Sequence, residues 1–331
     1  MGTRYRLSVL DRSHVQDGQG AARALRETVR TAIAAERAGY HRFWLSEHHG
    51  VPGIAGSAPT VLAAAVAART ERIRIGTGGV MLPNHRPLVV AEQFRVLSAL
   101  FPGRIDLGVG RSVGFTRAIQ DALGHHRAEA DDFPAQLAEL LEWLGPGTAE
   151  AHPHVRVQPD DVEPVPPYVL AMGEGGRIAA AAGLPVVVGG LHDRDRLLGV
   201  VAEYRAAFHP SPWCAEPRVL LAAPVAVADT AEAARDLLAP EAWAIVRSRS
   251  DGAFPALPTP ERVRAAALTP RERDLFERTV AGQIAGPPAA VRAELDHLVD
   301  LTGAEEVLVT TGAHDPAVHR ATLLRIAEAL A

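Results

Sequence analysis

The feature that most constrains the fold is an alternation. Short β-rich runs are followed by stretches with apolar residues at helical spacing, eight times along the chain. The β-rich runs fall at 6–11, 41–46, 73–81, 104–110, 168–172, 184–188, 218–227 and 306–310. Helical stretches fall at 21–38, 58–69, 87–100, 116–144, 176–182, 193–208, 230–247 and 316–330, with one more at 288–301. Gly39 stops the first helix, and Pro59 opens the second in its first turn. Strands that alternate with helices pair in parallel through right-handed crossovers, and eight such units favour a closed barrel over an open sheet. The predicted fold class is therefore α/β, a (β/α)8 TIM barrel with an insertion before strand eight. At 331 residues, the chain has the length such a barrel fills as one domain. Residues 145–167 are irregular and proline-rich. Residues 248–282 show no clean period apart from a short helix at 270–280, and read as an inserted segment and candidate active-site lid.

Composition narrows the chemistry. Hydrophobic residues make up 47% and charged residues 22%, an ordinary globular balance. The net charge of −5, without a long basic run, argues against nucleic acid or an anionic membrane as partner. The sequence has no Lys, which removes Schiff-base lysine chemistry and the P-loop lysine. A single Cys, Cys214, excludes an internal disulfide and a structural zinc site built from four cysteines. No apolar stretch reaches the ~18–20 residues of a membrane span, and the N-terminal MGTRYRLSVLDRS lacks a signal-type apolar run. A cytoplasmic protein is expected.

In barrels of this kind the chemistry sits where strands end. Strand two ends in Glu47-His48-His49, and an imidazole is the side chain suited to proton transfer near neutral pH. Neighbours on an extended chain point oppositely, so one of His48 and His49 faces the mouth. Gly78-Gly79, before Val80, lets a flat ligand approach backbone, or marks a barrel corner. Met172-Gly173-Glu174-Gly175-Gly176 leads into a helix, with Arg111 after the neighbouring strand; together they suit a phosphate, although such turns are also simply tight turns. No histidine pair has the i, i+4 spacing of a helical metal site, so no metal is expected. Gly110-Arg111-Ser112-Val113-Gly114 also fits the G-x-S-x-G elbow of α/β-hydrolases, so a serine hydrolase at Ser112 is a competing reading.

Several blocks, in order and spacing, resemble one family. They are Glu47-His48-His49, Ala58-Pro59, the run from Ile73 through Gly78-Gly79-Val80-Met81-Leu82-Pro83-Asn84-His85, Ala91-Glu92-Gln93, and the run from Pro102-Gly103-Arg104 to Gly110-Arg111. These blocks are similar to the bacterial-luciferase-like flavin-dependent monooxygenases. The resemblance implies a (β/α)8 barrel binding FMN at its C-terminal face, with a non-prolyl cis peptide at Gly78–Gly79 beneath the flavin ring. It maps the phosphate-binding arginine onto Arg111, the phosphate loop onto 173–176, and the catalytic histidine onto His48, with His49 as its fallback. It implies that reduced FMN, supplied by a separate flavin reductase, reacts with O2 to a flavin C4a-peroxide that oxygenates a small organic substrate. It also implies a homodimer through the helices at 58–69 and 87–100. Trp44, Met81 and Phe115 are candidate pocket walls. The chain departs from the family at Ser112-Val113-Gly114-Phe115-Thr116, at Glu174-Gly175-Gly176 and at Gly189-Gly190. An F420-dependent hydride-transfer enzyme and a non-catalytic flavin-binding protein are the other readings within this resemblance.

Overall fold

The computed structural model describes residues 4–114, 116–124, 131–171 and 173–331. Eight staves close a parallel barrel: β1 (Arg6–Asp11), β2 (Arg42–Leu45), a broken third stave of β3 (Arg74–Thr77) and β4 (Val80–Met81), β5 (Ile105–Gly110), β6 (Pro167–Ala171), β7 (Val186–Val188), β8 (Val219–Val227) and β10 (Glu306–Thr310). Pairing of β10 with both β8 and β1 closes the ring. Around it lie α1 (Ala21–Arg37), α2 (Pro59–Ala67), α3 (Pro87–Leu100), α5 (Phe133–Leu144), α6 (Gly175–Ala181), α7 (Arg194–Ala206), α11 (Pro288–Thr302) and α12 (Pro316–Leu330); a short α4 (Arg117–Leu123) follows β5. Proline opens α2, α3, α5, α11 and α12, where a missing N–H costs nothing. The third run breaks at Gly78–Gly79, which is a cis peptide.

The barrel interior is layered. At the N-terminal end, Arg42 donates to Asp106 at 2.8 Å and to Glu306 at 2.9 Å; Arg74 also donates to Asp106, and Ser8 to Glu306. Arg42, Asp106 and Glu306 are almost fully buried. Above this charged floor lies an apolar layer of Leu10, Trp44, Tyr168, Val187, Leu220 and Leu308. Trp44 is fully buried and donates its indole N–H to Asp106 at 3.1 Å. It therefore belongs to this interior layer and not to a pocket wall.

The insertion is longer than the sequence suggests. The helical stretch predicted at 230–247 looks like the helix following strand seven. The structure gives that place in the outer ring to α11, which packs on α7, α12 and β8. Residues 228–287 form a separate excursion. It holds α8 (Ala231–Asp251), α9 (Pro260–Arg264), α10 (Pro270–Ala281) and β9 (Ile284–Gly286). β9 pairs with the part of β8 that runs beyond the barrel, Val225 to Val227. The sequence pattern misled because α8 has the composition of any amphipathic helix, and only its partners distinguish it from a ring helix.

Candidate active site

The excursion roofs one side of the barrel mouth. Gly53 N–H donates to Phe254 O at 2.9 Å, Leu257 N–H to Val15 O at 2.8 Å, and Asp17 N–H to Leu257 O at 2.9 Å. Val51, Ile54, Ala244, Phe254 and Leu257 form a small apolar cluster under this roof. Through it α8 lowers Glu241 to the end of β1, where the carboxylate pairs with Arg12 and lies 3.8 Å from His14 Nε2. Burial alone would raise the Glu241 pKa, but Arg12 and His14 beside it hold it below the usual carboxylate range. Burial lowers the pKa of both His14 and His319. His14 Nε2, His319 Nε2 and Thr311 Oγ1 are buried without a hydrogen-bond partner among the described residues. Ser13 sits here in the left-handed region at φ 52°, with Asp11 Oδ1 accepting from its N–H at 2.8 Å. A serine held at positive φ in a buried turn is a local strain of the kind found at functional sites.

His48 lies at the end of β2. Its Nδ1 is 3.3 Å from Ser46 Oγ, and its N–H donates to Gly56 O at 2.9 Å. Burial, reinforced by the positive charge of Arg12, lowers its pKa to about 4, so at neutral pH the ring is uncharged and can accept a proton. His49 does not share this environment. Its Nε2 is 2.6 Å from Glu47 Oε1, and His85 Nε2 reaches the same oxygen at 2.7 Å. These three residues also lie close enough together to suggest a metal site. Donors on a tetrahedral zinc, at about 2.0–2.1 Å from the ion, sit about 3.3 Å from one another. Separations of 2.6 and 2.7 Å are instead those of hydrogen bonds.

The other side of the mouth carries the remaining candidates. Gly78 N–H donates to Leu45 O at 2.8 Å, and Val80 pairs with Val109. A side chain on Gly79 would place its Cβ 2.7 Å from Gly108 O, so this stretch tolerates only glycine. Arg111, partly exposed after β5, pairs with exposed Glu174 after β6. Gly173 takes φ 79°, and a Cβ there would lie 3.1 Å from Arg196 Nη2. Two guanidinium groups, from Arg111 and Arg196, thus flank this turn. Gly175 and Gly176 are buried, and Cβ atoms there would crowd Ala171 and Val200, so their smallness serves helix packing. Met172 and Phe115 lie outside the described residues. Met81 is buried at the end of β4, and its N–H donates to Glu47 Oε2 at 3.0 Å.

Ser112 is exposed at an ordinary backbone φ, and no imidazole lies within hydrogen-bond reach among the described residues. The strained turn and base of a nucleophile elbow are both missing from this geometry. Sequence reasoning did not single out Glu241, Arg12 or Arg196. Glu241 follows Pro240, a proline inside α8, but only the path of the excursion brings it to the mouth.

The luciferase-like monooxygenase family model matches residues 5–305. A luciferase-like monooxygenase of Escherichia coli K12 is 36% identical over 304 residues, 91% of this chain and 90% of that protein. The solved structure of apo-MsnO8 superposes with a TM-score of 0.87 at 33% identity, covering 98% of both chains. Two more distant structures carry different cofactors. The oxygenating constituent of 3,6-diketocamphane monooxygenase from Pseudomonas putida, in complex with FMN, has a TM-score of 0.69 at 19% identity, covering 99% of this chain and 97% of that one. An F420-dependent secondary alcohol dehydrogenase has a TM-score of 0.72 at 14% identity, covering 99% of this chain and all of that one. At these identities the likeness extends to the fold alone. With a family match across nearly its whole length and relatives above 30% identity, this barrel protein belongs to the luciferase-like monooxygenase family.

Proposed function

We propose that this protein is an FMN-dependent monooxygenase that takes reduced flavin from a separate reductase and uses O2 to oxygenate a small organic substrate. The observation that carries this reading is the pairing at one barrel mouth of a buried, uncharged His48 with a glycine-only backbone stretch and an arginine-flanked turn. The residues fit the group. Gly78, Gly79 and Val80 would lie under the flavin ring, and Arg111, Arg196 and the Gly173 turn would take its phosphate. Glu174 does not forbid this, because an exposed Arg–Glu pair contributes only about 0–1 kcal/mol and a phosphate dianion competes for the same guanidinium. Reduced flavin supplies the electrons that activate dioxygen.

The chain's own residues then handle protons, orientation and water. His48 accepts a proton from the substrate or returns it to the reacting oxygen. The roof of 254–257 excludes water above the end of β1, in keeping with a lid over the reaction. The unpartnered polar atoms of His14, His319 and Thr311 lie beneath it and suit a substrate with a polar group.

The test is anaerobic titration with reduced FMN, followed by mixing with oxygenated buffer and candidate substrates. Oxygen uptake coupled to an oxygenated product supports the reading. Binding of reduced F420 in preference to reduced FMN, with hydride transfer and no oxygen uptake, would replace it. Flavin binding without either activity would identify a carrier.

A further inference from the structure

Glu47 is a buried carboxylate that the reading above leaves unused. Its side chain is fully shielded from solvent, yet both oxygens are occupied. Oε1 lies 2.6 Å from His49 Nε2 and 2.7 Å from His85 Nε2, while Oε2 accepts the Met81 N–H at 3.0 Å. The three partners come from different places: the loop after β2, the end of β4, and the residue that follows the 3-10 turn Leu82–Asn84. Burial by itself would raise the Glu47 pKa, but the hydrogen bonds from His49, His85 and Met81 outweigh it and hold the group at about 2. An ionised carboxylate can only accept. Each imidazole must therefore hold its proton on Nε2, and a neutral ring in that form carries its lone pair on Nδ1. Neither Nδ1 has a hydrogen-bond partner among the described residues, and neither is among the buried unpartnered atoms. The His49 and His85 side chains are 21% and 32% exposed, so both rings remain accessible to solvent.

We propose that Glu47 is a positioning residue that clamps His49 and His85 as a matched pair of Nε2–H tautomers, making His85 a second proton-accepting imidazole beside the Glu47-His48-His49 block. A buried carboxylate that orients an imidazole is a general device for fixing which nitrogen is free to act. Here one carboxylate oxygen orients two. Because Oε2 is tied to the backbone next to the Gly78–Gly79 stretch, the clamp also fixes both rings relative to that stretch. The use of the pair in proton transfer rests on the monooxygenase reading, whereas the tautomer assignment does not.

The test is side-chain 15N NMR of the full-length labelled protein without flavin, with the two rings assigned through His49→Gln and His85→Gln. Recorded at a pH where both rings are neutral, the spectrum should show a protonated Nε2 and a bare Nδ1 for both rings, without averaging between tautomers. In Glu47→Gln one accepting oxygen becomes an NH2 donor: facing the two rings it releases their tautomers, and facing Met81 it removes the Met81 hydrogen bond that ties the clamp to the backbone. Averaged signals in the wild type would overturn the proposal. So would stoichiometric Zn2+ uptake by the wild type that both histidine variants lose, since the three residues would then be a metal centre. If Glu47→Gln does not fold, the wild-type spectrum still decides. In turnover, His85→Gln should lower kcat about tenfold with KM changed less than about twofold; an unchanged kcat would remove His85 from the chemistry. The spectrum needs no turnover, so failure of the clamp and failure of the monooxygenase reading remain distinguishable.

Discussion

At the scale of single residues, the site divides into groups that burial keeps neutral and groups that partners keep charged. His48 is of the first kind. Its folded pKa of about 4 lies below the ordinary histidine value of 6.5, so between these values the unfolded chain binds more protons than the native one. Its contribution to stability is therefore fully present above pH 6.5 and falls as the pH drops toward 4. The same shift sets the acid limb of kcat/KM, which should lie near pH 4 and not near 6.5 if His48 acts as the base. His48→Ala should lower kcat by about 10²–10⁴-fold while reduced-FMN affinity, followed by fluorescence titration, stays within about twofold. Equal loss of both would mark structural damage. Glu174 is exposed and pairs with Arg111. Among the described residues, Glu174→Ala leaves Arg111 with only Asp131, 3.8 Å away, and should tighten reduced-FMN binding about two- to fivefold, the range expected for an exposed ion pair.

At the scale of elements, the charged floor and the roof do different work. The Arg42–Asp106–Glu306 network ties β2, β5 and β10 together at the N-terminal end, away from the site. Arg42→Met leaves two buried carboxylates without their shared cation. Denaturant unfolding should show a loss of about 3–5 kcal/mol, with the residues at the barrel mouth unaffected in the molecules that remain folded. The roof depends on a close backbone approach. A Cβ on Gly53 would fall 2.0 Å from Pro255 O, so Gly53→Ala should lift 254–257 from the mouth. Faster cleavage of that segment in limited proteolysis, together with a raised KM, is the expected result. These elements differ in how well they could be read from the chain. Local pattern placed β1, α3, β10 and α12 closely, because β1 and β10 are compact apolar-rich runs and proline opens α3 and α12. It missed β9, three residues whose only strand signal is their pairing with the end of β8.

At the scale of the whole molecule, two helices leave apolar surface uncovered. Val61 on α2 and Val89, Val96 and Leu100 on α3 are exposed, Val61 at 71% and Leu100 at 62%. They lie on the helices that the family resemblance assigns to a homodimer, and α2 and α3 pack against each other. The resemblance predicts a dimer through this face. Light scattering should give twice the chain mass for the wild type and a single chain mass for the double variant Val61→Glu/Leu100→Glu, with the barrel's circular dichroism unchanged. No helix among the described residues is long and apolar enough to cross a membrane.

The sequence by itself determined the barrel and which residues stand at its strand ends. Eight periodic units specify eight strand ends, and the residues at those ends, His48, Gly78, Gly79 and Arg111, can be named without coordinates because strand direction alone places them at one mouth. Tertiary structure alone decided which of them meet. That Glu47 holds both His49 and His85, the latter 38 positions along the chain, depends on how the loop after β2 crosses the turn after β4. That Glu241 lies against Arg12, 229 positions away, depends on the path of a long excursion. The physical reason is the same in each case. Periodicity records which face of an element is buried, whereas a charge or an imidazole is tuned by what approaches it from elsewhere in the chain, and no local pattern encodes that approach.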